Sequence, residues 1–302
     1  MKKNKKSACQ RLLLLSAILL FNLPLLFACS DSGSQELPVV SDYLFDPIIE
    51  VKELRVGVVS GPYWDMFEEA ILPSLMEKGY TATRVYYTDY ESTNFAFAEN
   101  EIDLNIFQHY DYLNTFKFEN DLALSAIMDI PTVSMSIFSE HYNSIDQFDY
   151  GITASIPDDV SNLARALRVL EAANIITLDP AIDKTKATIG DITSNPNNIQ
   201  LVPISAHHLV ATRSEYRISV IPGNFAISSG LDLSKALYTE VLTEYYKIVL
   251  VVRTEDLNKQ FVRDIIEVIH SDRFRETISD PAGSYLNFQL PRWLHDMIGE
   301  NR

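Results

Sequence analysis

The chain has 302 residues, 25 of them basic and 41 acidic, for a formal net charge of −16. Residues 1–28 hold five basic residues (Lys2, Lys3, Lys5, Lys6, Arg11) and no acid, so the rest carries 20 basic against 41 acidic, a net charge of −21. That excess argues against a phosphate-neutralising nucleic-acid face and against adsorption to anionic lipid. With 22% charged and 47% hydrophobic residues the chain reads as folded, with length for one large domain or two smaller ones.

In chain order, residues 2–11 form a basic segment and residues 12–27 an apolar run interrupted by Ser16, Asn22 and Pro24. Sixteen residues fall short of the about 20 that span a bilayer, and small Ala28 precedes Cys29, the layout of a secretory signal. Leu26-Phe27-Ala28-Cys29 resembles a bacterial lipobox, which makes 1–28 a lipoprotein signal peptide and Cys29 the lipidated first residue of the mature chain. Residues 29–50, polar and holding Gly33, Pro38 and Pro47, read as a flexible tether. The other cysteine, Cys9, lies in the leader, so no pair is left to cross-link the body and cysteine-based zinc sites or catalysis there are excluded.

The body alternates strand and helix. Residues 53–60 (ELRVGVVS) have the β-branched run of a buried strand, broken by Gly61-Pro62, and 63–78 read as a helix ended by Gly79. A strand at 83–87, a helix at 91–100, a strand at 103–107 and a helix at 111–119 follow. Strands are expected at 133–139 and 151–156. Residues 160–173 place apolar side chains at 160, 163, 164, 167 and 170, one face of a helix. Strands at 200–203 and 218–221 flank a helix at 206–213, and 247–252 (KIVLVV) is a strand before an amphipathic helix at 257–270.

Such alternation implies α/β architecture with doubly wound parallel sheets. The strands fall into two groups, one covering 51–140 plus 243–302 and the other 141–242, with crossings near 139–146 and 240–246. Ligands in such sheets bind beyond the carboxyl ends of the strands, where the order reverses. Four loops are therefore the candidates: Ser60-Gly61-Pro62, residues 107–112, residues 157–162 and residues 222–225.

The segment Ile106-Phe107-Gln108-His109-Tyr110-Asp111-Tyr112-Leu113 resembles one characteristic of the methionine-binding lipoprotein family (NlpA/MetQ type) of bacterial ABC importers. In family order come residues 54–62, Thr88-Asp89-Tyr90, the loop and helix entry at 157–167, Asn195-Pro196 with Asn198, and Gly223-Asn224-Phe225-Ala226. The resemblance runs from about Leu54 to Asp280. It implies a two-lobed, periplasmic-binding-protein-like fold of type II, each lobe a doubly wound sheet with flanking helices, closing on a free amino acid. By position its ligand-binding residues are Tyr90, Phe107, His109, Tyr112, Asn162, Arg165, Asn224 and Lys247. The residue types agree with those roles. Arg165 lies three positions from Asn162 on one helix face, opposite the apolar stripe, and a guanidinium fork suits a carboxylate. The rings at 90, 107 and 112 suit a thioether. Two positions depart from the family pattern. Pro222 stands before Gly-Asn-Phe-Ala and Lys247 at the start of the last strand, where the family has ligand-contacting asparagines. The stretch 283–302, with Trp293, extends past the usual family end and reads as a capping helix.

Enzyme signatures are missing from the sequence. His207-His208 are adjacent, not at the His-x-x-x-His spacing of helical zinc sites, and there is no P-loop, Gly-x-Gly-x-x-Gly or Gly-x-Ser-x-Gly. No metal or cofactor is expected. The expected function is that of a lipid-anchored extracytoplasmic binding protein, held to a membrane of the cell envelope, that passes a small amino-acid-like ligand such as methionine to an ABC permease and its ATPase. The alternative is a surface lipoprotein with a degenerate cleft that binds a host or envelope macromolecule.

Overall fold

The computed structural model describes residues 52–298; the expected signal peptide, lipidated Cys29 and tether lie outside the described residues. Strand β1 (Lys52–Val58) buries Leu54, Val56 and Val58. Gly61 turns the chain at φ 151° into α1 (Tyr63–Met66), a π-helical stretch (Phe67–Ile71) and α2 (Leu72–Glu77). Pro73 lacks the N–H that would bond the carbonyl of Glu69, and the helix widens into the π-turn just before it. Then come β2 (Tyr80–Tyr86), α3 (Tyr90–Ala98), β3 (Leu104–His109), α4 (Tyr110–Glu119) and β4 (Leu124–Ile130). The second lobe holds β5 (Ser136–Phe138), β6 (Thr153–Pro157), α5 (Val160–Ala172), β7 (Thr177–Leu178), β8 (Ile192–Ser194), β9 (Gln200–Ile204), α6 (Leu209–Thr212), β10 (Ile218–Ile221), α7 (Gly223–Ser228) and β11 (Tyr238–Thr239). The chain returns through β12 (Ile248–Arg253), α8 (Gln260–Ile269), α9 (Asp272–Ser279) and α10 (Arg292–Ile298).

Two five-stranded sheets result, in the orders β2-β1-β3-β12-β4 and β11-β5-β10-β6-β9. Each has its own apolar core. One packs Val56, Leu104 and Leu250 with Phe67 and Ile265; the other packs Ala154, Ile156 and Val220 with Leu167 and Leu170. This is a two-lobed α/β architecture, as expected. The sheets are mixed, however, not wholly parallel. β12 runs antiparallel to β3 and β4, and β5 antiparallel to β10 and β11. The cause is the path of the chain. It leaves the first lobe at Ile130 and re-enters at Ile248, which pair with each other, so the strands on either side must oppose. Ser136 and Thr239 pair in the same way at the border of the second lobe.

The first crossing therefore lies at 131–135, earlier than the expected 139–146, and Ser136–Phe138 belong to the second sheet. β4 carries no strand signature, since Ser125, Ala126 and Asp129 are weak strand formers at a sheet edge. The helix expected at 206–213 is broken into two 3-10 turns around α6.

The C-terminal stretch straps the two crossings together. Thr132 and Gln289 exchange backbone hydrogen bonds. The Gln289 amide donates to Ser134 Oγ and, at 2.8 Å, to the carbonyl of Glu240, and its Oε1 accepts from Leu242 N–H at 2.8 Å. Trp293 in α10 donates to the carbonyl of Asp129. Residues 283–298 thus brace the hinge, besides adding the expected terminal helix.

In both lobes the strand order reverses at one place. β1 is followed by β2 on one side and β3 on the other, and β6 by β9 and β10. The crevices at these reversals open at the ends of β1, β3, β6 and β10, which carry the four candidate loops.

Candidate functional site

A cavity lies where the last three of those loops meet Tyr63, the residue that follows the first. Its walls are Tyr63, Tyr90, Phe107, Tyr112, Val133, Pro222, Gly223 and Ile248, and its polar side chains come from Gln108, His109, Asn162, Arg165 and Asn224. Seven of the eight ligand-binding residues expected from sequence line it. The closed lobes leave it about 20 Å³, room for about one water molecule.

The aromatic wall belongs to the first lobe. Asp89 caps α3 by accepting the N–H of Ser92 at 2.8 Å, which fixes Tyr90 as the first helical residue. The Tyr90 ring stacks on Phe107 at 5.4 Å and meets the edge of Tyr112 at 5.5 Å. From the other lobe Phe225 approaches Tyr90 at 5.5 Å.

His109 ends β3 and caps α4, its Nδ1 accepting from Tyr112 N–H at 3.1 Å. Nε2 therefore carries the proton and donates across the cleft to Asn162 Oδ1 at 3.1 Å. Burial, and secondarily the nearby Arg165 charge, push the imidazole down to about 3, so it is neutral at physiological pH. Asn162 is itself held at the start of α5. Its backbone N–H and its amide both donate to Asp159, the N-cap, whose carboxyl burial raises to about 6.

Arg165, one helical turn further, is 4% exposed. Its Nε donates to Glu240 at 2.9 and 3.2 Å, and its Nη2 also bonds that carboxylate. Nη1 has no protein partner among the described residues. The guanidinium sits 5.0 Å over the ring of Tyr246, with Arg168 at 5.0 Å from the same ring and bonded to its hydroxyl. Glu240 lies on the second crossing and also accepts the N–H of Met135 at 2.7 Å from the first. It was not foreseeable from sequence, since 75 residues separate it from Arg165.

Asn224, in α7, closes the other side. It accepts from the Tyr90 hydroxyl at 3.1 Å and donates to the carbonyl of Ser60 at 2.9 Å. Two glycines permit the approach. A Cβ on Gly61 would lie 2.7 Å from that of Asn224, and one on Gly223 would overlap Val133 and sit 2.5 Å from the carbonyl of Ser134.

Lys247 is the exception among the expected residues. It is buried but does not line the cavity; its neighbour Ile248 does. Adjacent residues of an extended chain face opposite ways. Burial lowers the Lys247 amine to about 8, against the opposing pull of Glu244, Asp129 and Glu240. Pro222 thus lines the cavity at a position where the resemblance puts an asparagine, and at the last strand Ile248 lines it in place of the expected Lys247. Among the described residues no three His, Cys, Asp or Glu side chains are grouped to hold a metal, and no helix is long and apolar enough to cross a membrane.

Comparison with known proteins places this architecture. The family described as NlpA lipoprotein matches residues 54–293, reaching Trp293 and so further than the resemblance read from sequence. The methionine-binding lipoprotein MetQ of Bacillus subtilis is 31% identical over 233 residues, covering 75% of this chain and 84% of that protein. A nutrient binding protein from Burkholderia cenocepacia bound to methionine superposes with a TM-score of 0.71 at 25% identity, covering 75% of this chain and 95% of that one. An ABC transporter periplasmic substrate-binding protein from Coxiella burnetii does so with a TM-score of 0.69 at 30% identity, covering 75% and 95%. These relatives are binding proteins, not enzymes. With most of its length matched and its fold in common, the chain belongs to the NlpA lipoprotein family.

Proposed function

We propose that the protein is a lipid-anchored extracytoplasmic binding protein of an ABC importer, and that it captures methionine or a related small amino-acid-like molecule between its lobes. The observation that carries this reading is the set of bonds across the cleft. His109 to Asn162, and Tyr90 and Ser60 to Asn224, join the lobes around an aromatic-walled cavity edged by Arg165. The space enclosed is too small for an amino acid, so uptake requires the lobes to part and to close again over the ligand. Closure then depends on the ligand binding the closed form better than the open one.

In the closed complex Arg165 holds the carboxylate through its remaining N–H groups, a charge-assisted bond of roughly 1.5–3 kcal/mol. Asn162 and Asn224 orient the polar end. Tyr90, Phe107 and Tyr112 wall the side chain, where sulfur–aromatic contacts add about 0.3–1.5 kcal/mol each. The occupied form is handed to a membrane permease driven by its ATPase. Cys29 carries the lipid, whose methylenes contribute about 0.8 kcal/mol each to membrane attachment.

Titration calorimetry on the full chain in detergent micelles, across the common amino acids and short peptides, tests the reading. Binding of methionine or a close relative is expected, and a folded protein that binds none of them overturns it. Cys29→Ala is expected to move the protein from the membrane to the soluble fraction.

A further inference from the structure

Glu240 and Arg165 are paired at the edge of the cavity in a way that bears on which ligands can enter. Arg165 is the only charged side chain among the described residues lining the cavity. Glu240 does not line it; the carboxylate bonds the guanidinium from the hinge side, where it also takes the N–H of Met135. It is 7% exposed, and its main chain is tied down as well: its N–H bonds the carbonyl of Met135 at 3.1 Å and its carbonyl accepts from Gln289. The carboxylate therefore stays beside Arg165 with or without a ligand. The neighbouring charges leave no surplus of cations. Arg168 lies against Tyr246, Lys247 is drawn first to Glu244 and Asp129 and then to Glu240, and the Asp159 carboxylate takes the amide of Asn162. His109 is neutral.

We propose that Glu240 is a specificity-determining residue that restricts the cleft to ligands without net charge. The inference rests on the binding-protein reading above. A cation that is already neutralised has little net attraction for an anion. A monocarboxylate adds an uncompensated negative charge to a buried ion pair, whereas a zwitterion adds none. An amino acid is thereby separated from its deaminated relatives, which share its carboxylate and its tail. Arg165 grips the carboxylate, and Glu240 requires that a positive charge arrive with it.

The test compares L-methionine with 2-hydroxy-4-(methylthio)butanoate, its monoanionic analogue, by calorimetry on the full chain in detergent micelles. Wild type is expected to bind methionine at least about tenfold more tightly. E240Q keeps the shape and removes the charge, and is expected to shift the ratio of the two affinities towards the hydroxy acid by about tenfold or more. Loss of the ammonium's own contacts weakens the hydroxy acid equally in both proteins and leaves that ratio unmoved. Equal affinities in wild type, or the same ratio in E240Q, overturn the proposal. If E240Q does not fold, E240N takes its place with the same expected shift and the same overturning result. If wild type binds neither compound, the transport reading fails, and Glu240 is tested separately with pentanoate. Pentanoate is then expected to raise the melting temperature of E240Q and not that of wild type; no rise in E240Q overturns the proposal.

Discussion

The hydroxyl of Tyr90 donates to Asn224 Oδ1 at 3.1 Å, joining the first residue of α3 in one lobe to α7 in the other. Asn224 passes the link on to the carbonyl of Ser60, so a single amide ties two loops of the first lobe to the second. The closed form is held by few such bonds, and each is a point where affinity can be altered without disturbing either core.

Tyr90→Phe removes the hydroxyl and keeps the ring against Phe107. The loss of one neutral hydrogen bond, about 1 kcal/mol, falls on the closed form. Ligand affinity is expected to drop about fivefold, with the melting temperature of the unliganded protein little changed. Calorimetry beside a thermal melt separates the two effects, and an unchanged affinity would show that the bond does not support closure.

Arg165→Ala leaves the Glu240 carboxylate buried without its main partner. Breaking a buried pair on one side costs about 3–5 kcal/mol, so the variant is expected to unfold at distinctly lower denaturant concentration as well as to lose ligand. Replacing both by apolar residues, R165M with E240M, is expected to recover most of the stability and none of the binding. Urea titrations of the three proteins check this.

His109 sets an acid limit. Its folded-state value of about 3 lies below the ordinary 6.5, so the unfolded chain takes up the proton first. Stability contributed by the neutral ring is complete above 6.5 and is lost as pH falls from there towards 3, by up to about 1.4 kcal/mol per pH unit. Asp159, raised to about 6, acts with the opposite sign between 3.8 and 6. The comparison is therefore between wild type and His109→Gln, in which only the histidine slope disappears. Denaturant midpoints at pH 4, 5 and 7 provide it; parallel curves for the two proteins would refute the assignment.

Gln289→Ala removes three side-chain hydrogen bonds that fasten the two crossings, while the backbone bridge to Thr132 remains. A loss of about 1–3 kcal/mol in stability is expected, together with faster hydrogen exchange at Met135 and Leu242. Exchange that stays at the wild-type rate at both amides would show that the strap is not what stiffens the hinge.

Much of this site was legible in the sequence. The run 106–113, the Asp-capped entry to α5 and the Gly-Asn-Phe-Ala turn each mark a strand end followed by a helix start, and ligand crevices form at such ends. It was the family resemblance, laid over that local pattern, that named Tyr90, Phe107, His109, Tyr112, Asn162, Arg165 and Asn224, and all seven line the cavity. It failed at Lys247 because a shift of one residue in an extended segment reverses the side chain, and the hydrophobic run around it reads the same in either phase. The local pattern failed at β4, whose strand conformation comes from pairing with β12, not from its own residues.

Most of the strand–helix alternation and the class of fold follow from the sequence alone, since periodicity, caps and turn residues act over a few positions; the residues carried to the cleft were read from the family resemblance. The tertiary structure alone decided the antiparallel strands beside the crossings, the strap at Gln289 and the Glu240 partner of Arg165. Those features depend on contacts between residues 47 to 157 positions apart. Chain connectivity and buried charge pairing select such contacts, and neither leaves a local pattern to read.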